Sequence, residues 1–98
     1  MKIFLDDRRK PPTGYVLVRN LPELQRLLQD RDEDIEVMSF DHDLGDNTPD
    51  GMAIIKWMAD NCPERWPEQT TIHSANPDGA RNIAAFDRAV RKHLLPDL

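Results

Sequence analysis

Three groups of acids and histidines stand where short apolar runs stop. Asp6-Asp7 follow Ile3-Phe4-Leu5, Asp41-His42-Asp43 follow Phe40, and His73-Ser74 follow Ile72. Carboxylates brought close together repel unless a cation lies between them, and their hard oxygens suit Mg²⁺ or Mn²⁺. Asp6, Asp7 and Asp41 are therefore expected as metal ligands, with the choice between Asp41 and Asp43 left open. Imidazoles exchange protons near neutral pH, so His42 and His73 are the candidate acid and base of a hydrolysis, and Asp43 is grouped with them as catalytic. Arg8 can clamp a phosphate bidentately, while Ser74 and Asn76 can donate hydrogen bonds to its oxygens. Each also has a plainer reading: the acids cap helices or pair with Arg8 and Arg9, Asn76 caps a helix, and single histidines are structural. Ser74 lacks the glycine-rich elbow of a serine hydrolase and is not expected to be a nucleophile.

Elements that could bring these groups together are legible in the spacing. Ile3-Phe4-Leu5 predicts a strand buried on both faces, and Tyr15 to Val18 a second strand after the turn at Pro11-Pro12-Thr13-Gly14. Asn20 with Glu23 caps a helix whose Leu21, Leu24, Leu27 and Leu28 share a face. Ile35 to Phe40 predicts a third strand, followed by a loop over Leu44 to Asp50. Met52, Ile54, Ile55, Trp57 and Met58 mark a second helix that Pro63 must end. Thr70-Thr71-Ile72 is a fourth strand by β-branching, and Pro77-Asp78 open a last helix carrying Ile83, Phe86, Val90 and Leu94. Short strands alternating with helices give a parallel sheet, in which ligands bind beyond the carboxyl ends of the strands. No helical pattern lies between the first two strands.

Composition narrows the classes. The 98 residues suit one domain, taken as 1–98, and 39% hydrophobic with 32% charged content is that of a folded globular chain. A net charge of −5 argues against a surface given over to nucleic acid, leaving only Arg8-Arg9-Lys10 as a basic run. The single cysteine, Cys62, excludes an internal disulfide and a thiolate zinc site, which fits a reducing cytoplasm. The amino end is neither a signal peptide nor a membrane span, so no membrane association is expected.

An acid pair closing strand one, an Asp closing strand three and Ser74-Ala75 closing strand four together resemble the receiver fold of response regulators. Gly51 lies eight residues after Asp43, as a receiver's glycine follows its phosphoacceptor, although Asp41 is the first residue past the apolar run. The resemblance implies a short parallel α/β sheet in order 2-1-3-4 with flanking helices, reduced by loss of the receiver's first helix and fifth strand. The Lys that the fifth strand normally supplies to the phosphoryl group is lost with it, so phosphorelay signalling is not implied. More closely, LDDRR, FDHDLGD and IHSANP look like the cyclic-phosphate processing receiver domain. That likeness implies a metal-assisted phosphohydrolase or cyclic phosphodiesterase acting on a nucleotide or an RNA end in RNA repair or bacterial conflict. On such a substrate the imidazole chemistry of His42 and His73 is expected to open the ring, one activating water and the other protonating the leaving oxygen. The competing expectation is a receiver-like module that binds a partner protein or nucleotide without turnover.

Overall fold

Every expected element forms in the structure, a computed structural model that describes residues 1–45 and 48–98. Asp46 and Asn47, which belong to the loop expected over Leu44 to Asp50, lie outside the described residues. The order is β1 (Lys2–Leu5), β2 (Tyr15–Val18), α1 (Leu21–Asp30), β3 (Val37–Phe40), α2 (Gly51–Asn61), β4 (Gln69–Ile72) and α3 (Pro77–His93). Strand β3 starts at Val37 rather than at Ile35, which is buried but outside the ladder. Each helix starts on a side-chain cap. Asn20 accepts from the Glu23 amide at 2.9 Å, Asp50 from Ala53 at 2.8 Å and Asn76 from Gly79 at 3.0 Å, satisfying N–H groups that have no intrahelical partner.

The strands form one parallel sheet in order β2-β1-β3-β4, with Phe4 opposite Leu17 and Ser39, and Ser39 opposite Thr71. Side chains alternate between the faces. Ile3, Leu5, Val18, Met38 and Phe40 take one face and build the core with Leu24 of α1, Ile54, Ile55 and Met58 of α2, and Ile83 and Val90 of α3. Trp66 closes this core, while Met52 and Trp57 pack on it half-buried. Phe4, Leu17, Ser39 and Thr71 point the other way. The step from β1 to β2 runs opposite in sense to the step from β2 to β3, so right-handed crossovers put their connections on opposite faces. On that second face residues 6–14 stand in place of a helix.

One polar network fixes α3 against the edge strand. Asp87 accepts from Trp66 Nε1 at 3.0 Å, from Thr70 Oγ1 at 2.8 Å and from Arg91 Nε at 3.1 Å, while Arg91 Nη2 donates to the Pro67 carbonyl at 2.9 Å. These contacts hold the carboxyl half of α3 against the start of β4.

Candidate functional site

Asp6, Asp41 and His73 are each the first residue past a strand, and each is held by the strand beside it. Asp6 donates its amide to the Val18 carbonyl, Asp41 to Leu5 and His73 to Phe40, all at 3.0 Å. With period two, the three side chains continue the face of Phe4, Ser39 and Thr71, away from the helical core. Each offers one ligand atom, and these atoms lie within 4.8 Å of one another. Asp7, expected with them, points differently: it lines the cleft above, with Arg8 Nε 3.8 Å from its Oδ2, and is not part of this group.

Asp6 is 1% exposed and its acceptors are engaged. Oδ1 receives the Arg8 and Arg9 amides at 2.8 and 2.9 Å, and Oδ2 lies 3.0 Å from His73 Nε2. Burial pushes the carboxyl up, but the Arg9 and Arg8 amides and the His73 ring together outweigh it and hold Asp6 below the ordinary carboxylate range. The His73 ring stacks on Phe4 with centroids 4.2 Å apart, and Arg9 Nη1 donates to the His73 carbonyl at 2.9 Å.

The remaining candidates divide between the cleft and its rim. Asp43 is exposed, and a hydrogen bond from His42 Nδ1 at 2.9 Å is the main reason its carboxyl is held low. His42 also approaches Asp50 through Nε2 at 3.5 Å and backs onto Gly79, where a Cβ would collide with the imidazole. Among the described residues, neither histidine lines the cleft of about 510 Å³ at this end of the sheet, and their rings are engaged with different acids. Ser74 Oγ accepts from the Asn76 amide at 3.1 Å, and Asn76 caps α3. Arg8 is exposed at the cleft, while the Arg9 guanidinium is spent on the His73 carbonyl.

The cleft is strongly acidic, with Asp6, Asp7, Asp41, Asp43 and Asp50 against Arg8 and Arg9. Two carboxylates and an imidazole fit a divalent cation, and the nitrogen donor suits Mn²⁺ better than Mg²⁺. Gly51 explains the spacing noted in the sequence: a Cβ there would strike the Asp41 carbonyl oxygen, and its amide donates to the His42 carbonyl at 2.8 Å. The family model for the cyclic-phosphate processing receiver domain matches residues 1–88. The chain belongs to that family. No curated protein and no solved structure matches it. In this cyclic-phosphate processing receiver domain the receiver sheet keeps its order β2-β1-β3-β4, and no helix among the described residues is long and apolar enough to cross a membrane.

Sequence reasoning passed over Ser39, whose Oγ lies 2.7 Å from His73 Nδ1. A lone polar residue inside the apolar run Val37 to Phe40 was the signal that could have found it.

Proposed function

We propose that this domain hydrolyses a cyclic phosphate on a nucleotide or an RNA end, using a divalent cation held by Asp6, Asp41 and His73. The observation that carries this reading is the meeting of those three ligand atoms within 4.8 Å, two of them, from Asp6 and Asp41, on residues that line the cleft. An anionic substrate would be repelled by five carboxylates unless a cation offset them, and the cleft's volume of about 510 Å³ is that of a small-ligand site. When bound, the cation supplies positive charge to the phosphate's non-bridging oxygens. Arg8, exposed at the cleft wall, adds a bidentate contact. Among the described residues the Ser74 hydroxyl uses its oxygen on the Asn76 amide and keeps a proton to donate. Asp43, steadied by His42, stands at the exposed side of the cleft to orient water.

The test is incubation with cyclic mononucleotides and with RNA ending in a 2′,3′-cyclic phosphate, in Mn²⁺, Mg²⁺ or EDTA, followed by analysis of the product ends. Turnover should require the cation and fall by about 10²–10⁴ in Asp41→Asn; no turnover with any substrate and cation would refute it. A second reading, a module that binds the same ligands without turnover, is favoured by the engagement of both histidines with neighbouring side chains. It predicts cation-dependent binding of an unchanged ligand.

A further inference from the structure

Ser39 is 7% exposed in the middle of β3, paired with Phe4 on one side and Thr71 on the other. Its Oγ lies 2.7 Å from His73 Nδ1, while Nε2 of the same ring lies 3.0 Å from Asp6 Oδ2. Stacking on Phe4, with the ring planes 7° apart, keeps the imidazole in this plane. Both nitrogens are therefore committed, one to a hydroxyl and the other to a carboxylate.

We infer that Ser39 is a positioning residue that holds the His73 ring through Nδ1 in either tautomer, so that Nε2 can face the acids as a donor or as a free lone pair. An ionised carboxylate only accepts, so Nε2 must carry the proton while it bonds Asp6. The neutral ring then presents a lone pair at Nδ1, and the Ser39 hydroxyl donates to it. For Nε2 to serve as a ligand the proton must sit on Nδ1 instead, and the hydroxyl turns about Cβ–Oγ to accept it. The ring holds one proton in both states: the Nε2 proton passes to solvent water as the cation binds, and Nδ1 takes one from solvent water in exchange. A hydroxyl serves both arrangements without moving a heavy atom, whereas alanine serves neither. The exchange, though not the metal-free arrangement, rests on reading Asp6, Asp41 and His73 as a cation site. Ser39 lies beneath the ring rather than on the cleft, which makes it a support for His73 and not a nucleophile.

Long-range ¹H–¹⁵N correlation spectra of the imidazoles in ¹⁵N-labelled, EDTA-treated protein at about pH 8 read the tautomer directly, without any assay of activity. His73 should show the Nε2–H pattern. Zn²⁺, a diamagnetic probe, should convert it to the Nδ1–H pattern. Ser39→Ala should keep the Nε2–H pattern that Asp6 enforces in metal-free protein, but its Nδ1 resonance should lose the shift given by an accepted hydrogen bond, and Zn²⁺ and Mn²⁺ binding should weaken by about 10–100-fold because Nδ1–H has no acceptor; Ser39→Thr should restore both. An Nδ1–H His73 in the metal-free parent, or an Nδ1 resonance unchanged in Ser39→Ala, would overturn the assignment. A parent spectrum indifferent to Zn²⁺ would overturn the cation reading and the exchange with it, while the metal-free pattern still decides the positioning role.

Discussion

Replacing Asp6 by asparagine separates the charge of this residue from its shape. Asp6 and Asp41 offer oxygens no more than 4.8 Å apart, a repulsion of about 3.5 kcal/mol at an effective dielectric of about 20. The substituted amide would remove that repulsion and keep an oxygen for the Arg8 and Arg9 amides, but its NH₂ would confront the His73 ring, and losing a hydrogen bond to a charged group costs about 1.5–3 kcal/mol. The two effects oppose each other and leave at most about 2 kcal/mol, so in EDTA the variant should melt within about 15 °C of the parent. Cation separates them. At Mn²⁺ about 100-fold above Kd the parent gains about 2.7 kcal/mol, which in a chain of 98 residues is a Tm rise of about 10–20 °C. Loss of one charged ligand should weaken binding by at least about 100-fold, leaving Asp6→Asn a rise of about 3 °C or less at the same concentration. Thermal melts of both proteins in EDTA and across a Mn²⁺ titration measure this. Equal Mn²⁺ shifts in the two proteins, or none in the parent, would refute the reasoning.

Gly79→Ala should lower stability by about 1–3 kcal/mol in urea melts, because the added methyl meets the His42 ring and outweighs the roughly 1 kcal/mol that alanine gains over glycine in a helix; a higher midpoint would show that His42 does not pack there. Asp87→Ala should cost about 2–4 kcal/mol by stranding Trp66 Nε1, Thr70 Oγ1 and the Arg91 guanidinium, measured in the same way. Acid should also expose Asp6. Its folded carboxyl is held below the unfolded value of about 3.9, so its contribution is complete above that value and is lost as pH falls through the lower folded value. Urea melts below about pH 4 should therefore show a steeper loss in the parent than in Asp6→Asn, and parallel losses would exclude this role.

Much of the scaffold is local and so was readable. Leu5, Phe40 and Ile72 end their strands because the next residues, Asp6, Asp41 and His73, are polar, and Asn20, Asp50 and Asn76 cap helices in which they accept amides three residues on. The absence of a helical pattern over residues 6–14 was equally plain, and no helix forms there. Parallel pairing was implied by alternation of strands and helices, and with it the gathering of all three polar groups at one end of the sheet.

Which members of each group meet is a different matter. In Asp6-Asp7 only Asp6 joins the cluster, and in Asp41-His42-Asp43 only Asp41 does, with His73 beside them where Asp7 was expected. The amino-acid order by itself determined the strands, their polar ends and the chemical types delivered to the site. The tertiary structure decided the partners, because side chains alternate faces with period two and the alignment of that alternation between strands depends on contacts distant in sequence: Leu5 against Phe40, Phe40 against Ile72. The same register slides Ser39 under His73 and leaves His42 against Gly79 on α3, placements that no spacing along the chain contains.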